Sequence, residues 1–279
     1  MILIDMNQIA VANLMMNLKM NKNKTIDENM VRHMILNSIR MYRTEHRNEY
    51  GEVVLTWDSK HSWRRDYFPE YKASRRKGRE EANLDWDDIF ATLNKIRNEI
   101  KENFPYKYLE VFGAEADDII GFLCQENRDE KIMIISGDKD FIQLQKNPNV
   151  KQWSPITKKD VNGFNPTTYL KEHILRGDTS DGVPNVLSPD NTFSDGLRQR
   201  PLSRKKIQSW LNSVEDCNDE VKRNYQRNLT LIDLSKTPEE LKNQIRLEYN
   251  NAPHGDRSKL LNYFMIYKLK ELTENIGEF

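Results

Sequence analysis

The chain is predicted to be an α/β protein with a central, mainly parallel, twisted sheet, on three observations. Short apolar runs at Ile2 to Ile4, Val53 to Trp57 and Ile132 to Ile135 have the length of buried strands. Helical patterns separate them, and alternation of strand and helix is the signature of a parallel sheet flanked by helices. After about Lys159 strand signals become sparse and helical ones dominate.

The elements follow in order. The first run ends in Asp5, the second in Asp58, and the third in Ser136-Gly137-Asp138, so three strands deliver an aspartate to one edge of the sheet. In open sheets of this kind the ligand site lies beyond the carboxyl ends of the strands. Asp27 to Arg43 places Met30, Met34, Ile35 and Ile39 at helical spacing, and Trp86 to Ile100 and Ala116 to Gln125 are further helices. Pro166 to Arg176, Ser203 to Trp210, Asp219 to Asp233 and Arg257 to Leu272 are the later ones. Val183 to Pro201 is dense in Pro, Gly, Asn, Asp and Ser and predicts an extended loop. The expected division is an α/β part, 1–160, and a helical part, 161–279.

Lysine plus arginine equals aspartate plus glutamate, 43 each, so net charge identifies no partner, but its distribution is uneven. Lys60, Arg64, Arg65, Lys72, Arg75, Arg76, Lys77 and Arg79 face only Asp66 and Glu70 between positions 60 and 79. Arg198, Arg200, Arg204, Lys205 and Lys206 form a second cluster with no acid among them. Two cysteines, Cys124 and Cys217, are too few for a disulfide framework or a thiolate zinc site and fit a reducing cytoplasm. No run approaches the roughly 18 to 20 apolar residues of a membrane span, and a cytoplasmic protein is expected.

The candidate chemistry lies in Asp5, Asp58, the Ala-Glu-Ala-Asp-Asp set of Glu115, Asp117 and Asp118, the Ser-Gly-Asp-Lys-Asp pair of Asp138 and Asp140, and the Gly-Asp-Thr-Ser-Asp pair of Asp178 and Asp181. A single aspartate after a strand is commonly a helix cap, and an acidic first turn commonly complements the helix dipole. Neither explains five acidic groups directed to one edge. Two carboxylates about 4 Å apart repel by roughly 4 kcal/mol at an effective dielectric near 20, an objection that divalent cations remove. Oxygen-only donors favour hard ions such as magnesium or manganese, and a pair of ions can clamp a phosphodiester.

These motifs carry a resemblance. Ala-Glu-Ala-Asp-Asp-Ile-Ile-Gly, then a strand, then Ser-Gly-Asp-Lys-Asp-Phe, then Gly-Asp-Thr-Ser-Asp-Gly-Val-Pro resembles the 5′ nuclease family of flap endonucleases and bacterial polymerase 5′ nuclease domains. Val31-Arg32-His33, Trp63-Arg64-Arg65-Asp66, Asn149 to Pro155 and Glu278-Phe279 point to the bacteriophage members and extend the resemblance over almost the whole chain. It implies a PIN-like nuclease core with a helical arch at about 60–84, and a helical subdomain with a helix–turn–helix-type element for duplex. It also implies a monomeric enzyme that uses two Mg2+ ions, for which Mn2+ may substitute, on 5′ flaps, nicked or forked DNA and RNA–DNA hybrids in lagging-strand processing. By similarity, Asp5, Asp58, Glu115, Asp117 and Asp138 would surround one ion and Asp118, Asp140, Asp178 and Asp181 the other. A single-stranded-DNA-binding protein and a sliding clamp are the partners the family suggests, and a phage member would work in the host bacterial cytoplasm.

The basic clusters fit a nucleic-acid partner. Trp63, Tyr67, Phe68 and Tyr71 interleave with Arg64, Arg65, Lys72, Arg75 and Arg76, and rings that stack on bases beside cations that meet phosphates suit a single strand. The resemblance makes Lys72 and Arg75 phosphate contacts of the arch, and Arg198 to Lys206 part of the duplex grip, which positions without reading sequence. Where many relatives carry a Gly-x-Gly-x-Lys hairpin, this chain has Asn185 to Asn191, so the monovalent ion of that hairpin is not implied. Two rivals are weaker. A haloacid-dehalogenase-like phosphatase needs a second aspartate at the position of Asn7, and a non-catalytic DNA-binding scaffold has no use for an intact acidic set.

Overall fold

The computed structural model describes residues 1–21, 25–82 and 84–279, the side chain of Lys77 excepted. Six strands, β1 (Ile2–Asp5), β2 (Val53–Thr56), β3 (Lys107–Leu109), β4 (Ile132–Ile135), β5 (Val150–Ser154) and β6 (Lys159–Asp160), form one sheet in the order β3-β2-β1-β4-β5-β6. All neighbours are parallel except β5 and β6. The chain steps outward from β1 to β3, then crosses back to lay β4 on the other side of β1. A crevice therefore opens between the carboxyl ends of β1 and β4, where crossovers on either side diverge.

The alternation of side chains along β1 explains why its four residues are all buried. Ile2 and Ile4 face a core with Val53, Leu55, Met133 and Ile135, completed by α1 (Met6–Met20), α2 (Glu28–Tyr50), α5 (Trp86–Asn103), α11 (Leu260–Ile266) and α12 (Lys270–Glu274). Leu3 faces the opposite core with Val54, Ile132 and Ile134, covered by α6 (Ala116–Glu126), the 3-10 segment Lys139–Lys146 and α10 (Glu239–Asn251). Two short helices, α3 (Trp63–Tyr67) and α4 (Ser74–Glu81), lie between β2 and α5. Beyond the sheet, α7 (Pro166–Arg176), α8 (Arg204–Trp210) and α9 (Asp219–Ile232) pack in two smaller clusters, one of which takes in Phe68 and Tyr71.

All three sequence-predicted strands and the three helices between them are present. The differences have physical causes. Helix α1 spreads apolar residues around its circumference, with Ile9 and Leu14 buried but Val11 and Met16 exposed, so it lacks a helical period in sequence. Strands β3 and β6 are too short to stand out, and β5 is polar at Lys151 and Gln152. The predicted helix from Arg257 to Leu272 is broken at Lys268, whose φ is +54°, into α11 and α12. Helix α10 was not predicted, although Leu241, Ile245 and Tyr249 recur at helical spacing on the face that packs against the sheet. The sheet ends at Asp160, but α10 to α12 return to the two faces of the sheet, so residues 161–279 do not form one separate core. The 183–203 segment is a long loop with one 3-10 turn, Asp190–Thr192, braced by Arg223 and Arg227 on Asp190. No helix among the described residues is long and apolar enough to cross a membrane.

One buried charge pair ties the helical layer together. Arg32 on α2, 0% exposed, donates to both oxygens of Glu99 on α5 at 2.7 and 2.9 Å, and the same carboxylate accepts Tyr263 and Tyr267 hydroxyls at 2.8 and 2.9 Å. Removing one partner of such a pair leaves a buried uncompensated charge. Arg32→Ala is therefore expected to cost about 3–5 kcal/mol in a denaturant melt; a loss below about 1 kcal/mol, the range of an exposed pair, would show that Glu99 finds other compensation.

Candidate active site

The backbone fixes the carboxylates at the crevice by ordinary capping chemistry. Asp5 ends β1 and caps α1, accepting the Gln8 N–H at 3.2 Å and the Ser136 hydroxyl at 3.0 Å. Asp58, just beyond β2, accepts the Ala116 N–H at 2.8 Å, joining the β2 loop to the start of α6. Glu115 is the N-cap of α6 and Asp117 lies in its first turn. Asp138 follows β4, caps the 3-10 segment and accepts the Asp140 N–H at 2.9 Å.

Asp178 and Asp181 come from the tight turn after α7. Gly177 ends that helix at φ +68°, and a Cβ there would lie 2.3 Å from the Val183 carbonyl, so only glycine fits. The two strands of the turn exchange hydrogen bonds between Asp178 and Val183 at 2.8 and 2.7 Å. The Asp178 carboxylate accepts the Ser180 N–H at 2.7 Å and its hydroxyl at 2.6 Å. The turn is also pinned to the α3–α4 connection, where Lys72, at φ +57°, donates its N–H to the Asp181 carbonyl at 2.7 Å.

Crowding of like charge dominates the electrostatics. Burial, then Asp58 and Asp138, pushes Asp5 up to about 7. Burial raises Asp58 despite Lys72. Burial with Asp138 and Asp5 raises Asp117 far above the carboxylate range, and burial with Asp181 and Asp178 raises Asp138. Burial, relieved by His173 and renewed by Asp138 and Asp178, pushes Asp140 up to about 8. Two groups go the other way: against burial, Lys72 and Arg64 hold Glu115 down, and His173 and Ser180 hold Asp178 down. Carboxylates with raised proton affinity in a polar cleft are groups short of positive charge.

That deficit defines what fits. Among the described residues, no lysine or arginine lies within ion-pair distance of Asp5, Asp117 or Asp138. The Tyr71 hydroxyl lies 2.8 Å from Glu115 and 2.7 Å from Asp181, and its one proton serves only one of them. Hard oxygen donors with unmet negative charge match divalent cations, and Asp5, Asp58, Glu115, Asp117, Asp138, Asp140, Asp178 and Asp181 could hold them.

Two expectations change. Asp118, expected beside the second ion, is 0% exposed and saturated: it accepts Trp63 Nε1–H at 3.2 Å, Arg64 at 2.8 Å, the Thr237 hydroxyl at 2.8 Å and the Glu115 N–H at 3.0 Å. As the N3 residue of α6 it points back along the helix as half of a capping box. Arg64, expected on nucleic acid, is 2% exposed and bonds Asp118, Glu115 and the Leu231 carbonyl, so it braces the site from behind.

The other basic residues remain accessible to differing degrees. Lys72 is largely buried on Glu115 at 2.6 Å, Arg75 is half-exposed on Asp181 at 2.6 Å, and Arg65 and Arg76 are exposed. Arg198, Arg200, Arg204, Lys205 and Lys206 are all exposed along the loop before α8 and on α8 itself. Sequence reasoning missed His173, Thr237 and Phe112. His173 meets Asp140 only through tertiary packing and Asp178 only through the turn that follows α7, Thr237 lies more than a hundred residues from Asp118, and Phe112 is a lone aromatic, 77% exposed, stacked on His61.

An acidic crevice at the switch point of a parallel sheet, overhung by basic side chains, defines a phosphodiester-cleaving nuclease as the class of protein. Residues 1–173 match the family model "5'-3' exonuclease, N-terminal resolvase-like domain", and residues 166–279 match "T4 RNase H, C terminal". The chain is 36% identical to ribonuclease H of Enterobacteria phage T4 over 99% of its own length and 95% of that protein. It is 27% identical to a flap endonuclease Xni of Shewanella over 48% of its length and 52% of that enzyme. The fold superposes on the bacteriophage T5 5′-exonuclease with divalent zinc bound, at a TM-score of 0.61 and 16% identity, covering 90% of this chain and 98% of that one. The chain belongs to the 5′-3′ exonuclease family, a family of nuclease hydrolases.

The raised carboxylates make a stability test. An aspartate with a raised folded pKa binds more protons folded than unfolded, so its stabilising contribution is full near pH 4 and is lost as pH rises toward 8. With chelator present, the melting temperature is expected to fall between pH 5 and 8, through the titration of Asp5 near 7 and Asp140 near 8, and magnesium should restore it most at pH 8. A chelated protein that gains stability over that range, or gains equally from magnesium at pH 5, would contradict the assignment.

Proposed function

We propose that this nuclease is a divalent-metal-dependent 5′-3′ exonuclease and flap endonuclease that removes RNA primers and adjoining DNA from lagging-strand 5′ ends. The observation that carries the reading is the convergence of eight acidic side chains at the mouth between β1 and β4, beneath Lys72 and Arg75. The proposed ligands of the first ion are Asp5, Asp58, Glu115, Asp117 and Asp138; those of the second are Asp140, Asp178 and Asp181, with Asp118 left out. Magnesium is the expected ion, with manganese able to substitute. Such ions lower the pKa of a water and offset charge on a departing 3′ oxygen.

The chain's own residues do the rest. Lys72 and Arg75 stand over the carboxylates and would exchange Glu115 and Asp181 for substrate phosphates, drawing the scissile bond toward the crevice. The exposed rings of Tyr67 and Phe112 offer stacking surfaces for an unpaired 5′ end. The exposed Arg198 to Lys206 cluster would hold duplex backbone, which supports flaps, nicked or forked DNA and RNA–DNA hybrids as substrates. A T5 flap endonuclease of the same fold, solved in complex with DNA and metal ions and matched at a TM-score of 0.61 and 15% identity, supports a DNA substrate. The proposed organisation is a nuclease core, 1–160, with the arch at 60–84, and a helical part, 161–279, in which the segment up to α9 would bind duplex while α10 to α12 pack back on the core, in a monomer of the bacterial cytoplasm. Partners proposed on the family setting are a single-stranded-DNA-binding protein and a sliding clamp.

The test is cleavage of a 5′-labelled flap and a labelled RNA–DNA hybrid with magnesium, with excess chelator, and with Asp138→Asn. Short 5′ products are expected only with metal, and the variant should lose about 100-fold or more in rate while duplex binding persists. Cleavage in chelator, or full activity of Asp138→Asn, would remove the metal assignment; binding without any cleavage would favour a scaffold.

A further inference from the structure

His173 sits in the last turn of α7 with its Nε2 buried and without a hydrogen-bond partner. The nearest acidic oxygens are Asp178 Oδ2 at 3.4 Å and Asp140 Oδ1 at 3.6 Å, contacts too long for formed hydrogen bonds. The three donor atoms lie within 4.8 Å of one another. A six-coordinate ion with ligands at about 2.1 Å sets neighbouring donors about 3.0 Å apart and opposite ones about 4.2 Å apart. The separations of Nε2 from Asp178 and Asp140, 3.4 and 3.6 Å, fall between those limits. The ring is held in this pose by the body of α7, by packing against Tyr169 at 5.8 Å between centroids, and by the seat of α7 on the 3-10 segment that carries Asp140.

We propose that His173 is a nitrogen ligand of the second divalent ion, making that site a mixed imidazole–carboxylate site with Asp140 and Asp178. The inference rests on the metal-nuclease reading and deepens it. The first site has oxygen donors only and suits magnesium. A site with an imidazole donor shifts preference toward transition-series ions, which accept nitrogen far more readily than magnesium does. His173 therefore sets metal choice at the second site, so the two sites of one crevice differ in the ion each prefers.

The rival is that His173 serves only as a counter-charge to Asp140 and Asp178. Pulsed electron paramagnetic resonance of the full chain loaded with Mn2+ alone separates the two, since an imidazole bound directly to manganese couples its 14N to the electron spin. The other histidines do not confuse the signal: His33 faces Glu271, His46 packs on Tyr50 and Trp153, His61 faces Asp66 and His254 lines a cavity beyond the opposite sheet edge. The wild type is expected to bind two Mn2+ ions and show directly coordinated nitrogen. His173→Ala and His173→Gln should lose that coupling, keep the first ion, and bind the second about tenfold more weakly, with a smaller loss for Mg2+. Retention of the first ion certifies that the variants are folded. Two bound Mn2+ ions without 14N coupling in the wild type would overturn the ligand role and leave the nuclease reading intact, and no Mn2+ binding at all would overturn both.

Discussion

Repulsion among eight buried or half-buried carboxylates is the constraint around which the rest of the molecule is arranged. Each pair near 4 Å opposes folding by roughly 4 kcal/mol at an intermediate dielectric, and the structure offsets this only in part. Lys72, Arg64 and Arg75 neutralise Glu115 and Asp181, while Asp5, Asp117 and Asp138 are left without a basic partner among the described residues. The unmet charge faces the crevice between β1 and β4, where divalent ions would complete the balance. The cost is borne by the scaffold behind: two apolar layers on the sheet and the Arg32–Glu99–Tyr263–Tyr267 cluster, which sits in the helical layer among α2, α5 and α11.

Local structure and chemistry use the same atoms here. Asp5, Asp58, Asp138 and Asp178 stand where a strand end, the start of α6 or a turn needs an acceptor for an orphan N–H, and each still turns its carboxylate toward the crevice. Rotamers fixed by backbone hydrogen bonds hold the donor set in place before any ligand arrives, so little order has to be created on binding. Asp118 shows the limit of this economy. One turn along the same helix, its carboxylate is consumed by Trp63, Arg64 and Thr237 and becomes part of the support.

Much of this was legible in the sequence, for definable reasons. A buried parallel strand is a short apolar block, and an aspartate at its end is visible without coordinates, so Asp5, Asp58 and Asp138 could be placed on one edge in advance. What was illegible depended on tertiary direction. Asp117 and Asp118 are adjacent in sequence but lie on different faces of α6, and no spacing rule tells which faces the crevice. Arg64 and Arg65 are equally basic, yet one is enclosed and the other exposed. His173 has no metal-like spacing because its partners arrive from the 3-10 segment after β4 and from the turn beyond α7, and α1 hid because its apolar residues surround it.

The most direct test of this account is anomalous diffraction from crystals of the protein grown with manganese. Two peaks about 3.5 to 4 Å apart in the crevice between the ends of β1 and β4, one against Asp5 and Asp138 and one against Asp140 and Asp178, are expected. A crevice with no peak, or manganese held only at surface carboxylates elsewhere, would contradict the claim that the acidic cluster exists to hold paired cations.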